Sequence, residues 1–237
     1  MGFAIASDAG ESVGWVLVLG IVFLMAFQNE QIGLLKGRME QLEKGMDAFL
    51  GSRQRRAEEY WTKAKGPESK EVAESLHGIA LVKSDLGRYA EAEALYRRAL
   101  QIWEKSLGSE SEEVAGCLTN LAISCEDQGK LGEAEPLFRQ ALVTREKILG
   151  TEDPEVAFSL GNLVSHHQKR GNYSEAERLH QRVISVWENR LGPDHPDIAP
   201  HLEHHAKLLQ WMGRGPKVKK LDGRVRAIRN KQGVAKP

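Results

Sequence analysis

The chain has 237 residues, with 33 Lys and Arg balancing 33 Asp and Glu, and only 6% of it is aromatic. Ala, Leu, Glu and Arg are plentiful, a composition that favours helices. Its two cysteines, Cys117 and Cys125, fall inside an expected helix, which excludes a disulfide framework. The charge is unevenly spread: from Gly213 to Pro237 nine basic residues face one acid, Asp222, so that end is about +8 and the preceding 212 residues about −8.

After a short tail (1–11) come 18 uncharged residues at 12–29, SVGWVLVLGIVFLMAFQN. As a helix at ~1.5 Å per residue they reach roughly 27 Å, close to the ~30 Å hydrocarbon core of a bilayer. Acidic Asp8 and Glu11 precede the run, and MAFQNE is a poor cleavage site, so the segment is expected to be an uncleaved membrane anchor rather than a signal peptide. Lys36, Arg38 and Lys44 follow the segment and no Lys or Arg precedes it, which predicts a single-pass protein with its bulk on the cytoplasmic side. Over 30–50, Ile32, Leu35, Met39, Leu42, Met46 and Phe49 recur at heptad spacing. That seam allows a homodimer through 32–49, or one amphipathic helix packed on the rest of the chain or lying at the membrane surface, with Gly33, Gly37 and Gly45 weakening the helix.

A strict period then takes over. EKSLGSESEEVAGCLTNL begins at Glu104, EKILGTEDPEVAFSLGNL at Glu146 and ENRLGPDHPDIAPHLEHH at Glu188, 42 residues apart each time. Units start at Val72, Val114, Val156 and Ile198, giving 72–113, 114–155, 156–197 and a degenerate 198–237. A half unit at 51–71 is expected to cap the front, since Gly66-Pro67 matches Gly192-Pro193. Each unit reads as two helices. In the second, Val114, Leu118, Leu121, Ala122 and Cys125 form one apolar stripe. Gly87, Gly129, Gly171 and Gly213 close the first helices, where a left-handed cap costs little. In the second helices Ala92/Ala134/Ala176 and Ala99/Ala141/Val183 allow close approach, and Tyr96/Phe138/His180 fill space. Asp153-Pro154 and His195-Pro196 prepare the next helix starts.

The pattern L-x-N-L-A…G-x-x-x-E-A-E-x-L-x-x-x-A-L…L-G-x-x-x-P-x-V-A is best kept over Leu118–Ala157. It resembles the tetratricopeptide repeat, specifically the 42-residue version of kinesin light chains and their bacterial relatives. The resemblance implies an all-α, helix-turn-helix solenoid of about three full repeats plus degenerate caps, placed after the transmembrane helix. It also implies a partner peptide or helix held along the concave face by the first helices. Helical geometry then puts His77, Leu81 and Asp85 of the first unit in that groove. Thr119, Asn120, Ile123 and Asp127 follow from the second, Asn162, Ser165 and Lys169 from the third, and His204, Lys207 and Trp211 from the fourth. Asn120 and Asn162 share a repeat position at which an Asn in related repeats often pairs with an extended peptide backbone, a side-chain amide offering both a donor and an acceptor. The alternative for them is a capping or inter-helix hydrogen bond.

Nothing in the sequence points to catalysis: there is no phosphate loop, nucleophile elbow or paired-carboxylate signature. His201 and His205 have the i, i+4 spacing of two zinc ligands, but Glu203 does not complete the metalloprotease motif and no third ligand is evident. No metal or other cofactor is expected; His204 is assigned to the groove and His205 to repeat packing. The basic end, Lys217 to Lys231, suits a solvated capping helix or anionic headgroups, and it lacks the aromatic platform that nucleic acid would use. The expected function is therefore a non-catalytic adaptor anchored in a membrane. A self-associating assembly subunit with no separate ligand is the alternative.

Overall fold

Eight helices between Lys70 and Lys231 follow from the two apolar stripes in each 42-residue unit. They pair as α1 (Lys70–Asp85) with α2 (Tyr89–Leu107) and α3 (Glu112–Asp127) with α4 (Leu131–Leu149). The third and fourth pairs are α5 (Pro154–Lys169) with α6 (Tyr173–Leu191) and α7 (Ile198–Trp211) with α8 (Gly215–Lys231). The structure, a computed structural model, describes residues 59–231 continuously, plus Gly37, Arg38, Gln41, Gly45, Ala48, Gly51, Ser52 and Arg56, all helical. Two compact units divide the chain, Met1–Arg55 and Arg56–Pro237, and the second holds the repeats. The expected membrane segment 12–29 and all six apolar positions of the heptad seam lie outside the described residues. Among the described residues no helix is long and apolar enough to cross a membrane, and none forms a strand.

Local chemistry sets the helix ends. Ser111 caps α3 by accepting from the Val114 amide at 3.3 Å, and Asp153 caps α5 by accepting from Glu155 N at 2.9 Å, with Pro154 in the first helical position. At the far ends Gly87, Gly129, Gly171 and Gly213 take φ of +74, +78, +73 and +69°. The amide one residue further on reaches back across the last turn, as in Lys130 N to Cys125 O at 2.8 Å, which closes a Schellman motif. The fourth unit differs: Pro196 lies in a turn and α7 starts only at Ile198, so α7 has 14 residues where its counterparts have 16.

The small residues do what their size allows. Ala92, Ala134 and Ala176, with Ala99, Ala141 and Val183, are buried where helices approach, and the stripe from Val114 to Cys125 is buried too. One continuous apolar cluster runs from Val72 to Val186 and takes in Leu208. The last repeat adds a separate cluster of Ile184, Ile198, Ala199, Leu202, Val225 and Ile228, and Trp187 packs on both.

Polar links repeat in the same register. Lys105 meets Glu68 at 2.6 Å, Lys147 meets Glu110 at 2.7 Å, Asn189 donates to Glu152 at 2.7 Å and Lys231 meets Asp194 at 2.6 Å, each joining residues 37 apart. A second series sits at Glu93, Glu135 and Glu177. Glu93 receives Lys130 and Gln128 at 2.8 Å, Glu135 pairs with Arg170, and Glu177 pairs with Arg214 and Lys217. Burial alone would raise the Glu93 carboxyl, but hydrogen bonds from Lys130, Arg97 and Gln128 bring it down to about 2.

Much of the basic end is accounted for in this way. Arg214, Lys217, Arg224 and Lys231 pair with Glu177, Glu188 and Asp194 of the third repeat and Arg229 pairs with Glu203 of α7, so three of the cations of α8 fasten it to the third repeat and a fourth to its own partner helix.

Candidate partner-binding groove

The 42-residue period stacks α5 beside α7, with α6 behind them, and leaves a cavity of about 540 Å³ between the third and fourth repeats. From α5 it is lined by Phe158, Gly161, Asn162 and Ser165, and from α7 by His201, His204, Lys207 and Trp211. His180, Val183 and Trp187 of α6 also line it. Phe158 and Trp211 are 57% and 65% exposed, a large apolar area to leave in water. An adjoining hollow is bounded by Ser165, Gln168, Lys169, Tyr173 and Trp211, so the aromatic surface continues to Tyr173. No carboxylate lines either space.

Of the residues assigned to the groove from the sequence, Asn162, Ser165, His204, Lys207 and Trp211 line the larger cavity and Lys169 the smaller. Lys169 is also committed to Glu126, at 2.5 Å. Leu81, Asp85 and Asp127 are exposed on α1 and α3, and Ile123 is half-buried against the core. Thr119 departs from expectation. It is only 4% exposed, donates to Ala115 O at 2.9 Å and accepts from Arg145 Nη1 at 3.4 Å. The neighbouring unit covers this part of α3, so a stripe that is open on an end helix is closed on an interior one. Glu126 is buried for the same reason, accepting from Lys169 and lying 2.6 Å from His166 Nδ1.

The two asparagines part company. Asn120 Nδ2 donates to His77 Nε2 at 3.0 Å, and His77 sits against Tyr96 and Trp103 with its pKa lowered by burial. One repeat later the residue in place of His77 is Thr119, whose hydroxyl is already engaged. Asn162 Nδ2 is consequently buried with no hydrogen-bond partner, at the wall of the cavity. Buried donors are nearly always paired, so this amide stands out at the cavity wall.

Sequence reasoning missed Arg145. It is buried and reaches Glu112 at 2.9 and 2.7 Å and Ser159 at 2.9 Å, pinning the second repeat to the third. Trp103 and Trp187 hold its place in the neighbouring units and Arg229 in the last, and the replacement of Trp by Arg between two Trp units was the available signal. His201 and His205 do not converge on a common point: His201 stacks on Trp187 at 5.4 Å, and His205 meets His180 edge to face at 5.4 Å. Glu93, Cys125 and Glu133 bring three potential metal ligands together, but Lys130, Arg97 and Gln128 already engage Glu93. Both thiols are inert: burial pushes Cys117, which donates to Tyr96 O at 3.3 Å, up to about 12 and raises Cys125 as well.

The family model of the tetratricopeptide repeat matches residues 27–105, 71–147, 113–182 and 155–231. The chain is a tetratricopeptide-repeat protein. Tetratricopeptide repeats are protein-interaction modules. A putative kinesin light chain from P. anserina, with nearly identical repeats, is 24% identical over 84% of this chain and 93% of that one, with a TM-score of 0.68. BtubC (BKLC) from P. vanneervenii is 22% identical over 70% of this chain, with a TM-score of 0.61, and this chain spans 66% of its length. Aspartyl phosphate phosphatase F from Bacillus subtilis is 18% identical over 71% of this chain and 45% of its own, with a TM-score of 0.56. At these identities the likeness is one of fold. A search of curated protein sequences found no match.

Proposed function

We propose that this tetratricopeptide-repeat protein is a non-catalytic adaptor that holds a segment of a partner protein, an extended peptide or a helix, between its third and fourth repeats. The observation that carries the reading is the pairing of exposed Phe158 and Trp211 with the buried, unpartnered amide of Asn162 across one cavity. A segment seated there covers the two aromatic faces and supplies the missing acceptor. Lys207 and His204, with no carboxylate beside them in the lining, favour neutral or acidic groups on that segment. The apolar run at 12–29 would hold the adaptor in a membrane, with its repeats on the cytoplasmic side as Lys36, Arg38 and Lys44 direct.

The test is affinity capture from native membranes with the wild-type chain and with Phe158→Ala/Trp211→Ala. Both side chains are solvent-facing, so the variant is expected to keep its circular dichroism and lose the partner. A captured set that is unchanged, or that contains only the chain itself, refutes the groove reading and favours self-assembly. Deleting 12–29 is expected to move the chain from the membrane pellet to the supernatant.

A further inference from the structure

Two core positions break the repeat pattern together. His180 stands where the earlier repeats have Tyr96 and Phe138, and His205 where they have Ile79, Leu121 and Leu163. Both are 6% exposed, and they touch each other edge to face with ring centroids 5.4 Å apart. Each leaves a buried ring nitrogen without a hydrogen-bond partner, Nδ1 of His180 and Nε2 of His205. They belong to α6 and α7, the helices across which the separate apolar cluster of the last repeat begins, and His180 lines the groove. We propose that this histidine pair is a proton-operated joint: proton uptake loosens α7 and α8 from α6, opens the groove between Phe158 and Trp211, and releases whatever it holds.

The surroundings favour the neutral pair. Burial holds His180 down to about 4, and His205, His204 and His201 add to the effect. Burial also lowers His205; Glu177 of α6 opposes this and Lys217 of α8 reinforces it. From α5 the facing lining residues Phe158, Asn162 and Ser165 carry no charge, and on α7 Lys207 shares the lining with His204. A released histidine returns toward ~6.5, so the opened form binds more protons between about pH 6.5 and 4. Opening is therefore disfavoured above that window and increasingly favoured as pH falls through it. His180 alone raises the opening constant roughly twentyfold between pH 7 and 5.

The consequence for a partner rests on the groove reading, whereas the opening does not, and it can be measured on the chain alone. Hydrogen exchange of the full-length protein, corrected for intrinsic rates, would be followed at pH 7 and pH 5. Helices α7 and α8 are expected to lose tenfold or more in protection, while α3 and α4, whose contacts with His77, His166 and His167 the variants below leave in place, lose less. His180→Phe/His205→Leu, which installs residues found at these positions in the other repeats, is expected to abolish the loss. His180→Tyr alone should reduce it if the double variant does not fold. Equal loss in α3–α4 and α7–α8, or a loss unchanged in these variants, overturns the joint.

Discussion

Asn120 and Asn162 occupy the same repeat position, yet the structure predicts opposite consequences for replacing them. Asn120→Ala removes a 3.0 Å hydrogen bond and leaves the ring nitrogen of His77 partly buried and unpaired against Tyr96 and Trp103. A lost bond of this kind costs about 1–1.5 kcal/mol. In a unit of this size that lowers Tm by roughly 2–6 °C. Asn162→Ala removes a donor that is already buried and unsatisfied, so the lost packing is offset by the desolvation penalty that disappears. Its effect on stability is expected to lie within about 0.5 kcal/mol of zero, while capture of a groove partner falls. Thermal and urea unfolding of the two single variants, run beside the capture assay, separate the roles. If Asn162→Ala destabilises as much as Asn120→Ala, the side chain has a partner within the fold, and its assignment to the groove is wrong.

Two further outcomes follow from the polar links between repeats. Arg145→Met should cost about 2 kcal/mol in urea unfolding, because three hydroxyl and carboxylate partners lose a buried guanidinium, whereas Lys147→Ala, which breaks an exposed pair with Glu110, should stay within ~0.5 kcal/mol. Glu93→Gln should cost roughly 2 kcal/mol near neutral pH. A carboxyl held at about 2 contributes fully above its unfolded value of 4.5 and loses that contribution as pH falls toward 2, so wild-type and variant acid-unfolding curves should converge across that window.

The helices, their glycine ends and the small core residues were legible because a strict 42-residue period and a helical stripe specify them without knowledge of any contact. Contacts between units were harder to read. Thr119 and Glu126 fall on the stripe that faces outward from an isolated helix pair, and only stacking shows that Arg145, His166 and Lys169 cover them. The spacing of 37 that joins Lys105 to Glu68 and Lys147 to Glu110 was present in the sequence, but it has meaning only once the last turn of one helix is known to lie beside the preceding connector. His201 and His205 mislead for a related reason. Residues four apart share a helix face, but Trp187 and His180 draw the two rings to different neighbours.

In the two recurring series of cross-unit links, the acid comes from one unit and the cation or amide from the next. A 42-residue cassette therefore carries the acidic half of one fastening and the basic half of another. Excising 114–155 would bring Asn189 to Glu110 and Arg170 to Glu93, both compatible pairs. The solenoid is thus arranged so that whole cassettes could be gained or lost in descent with their fastenings intact, and the histidine pair restricts that freedom at the junction of the last two.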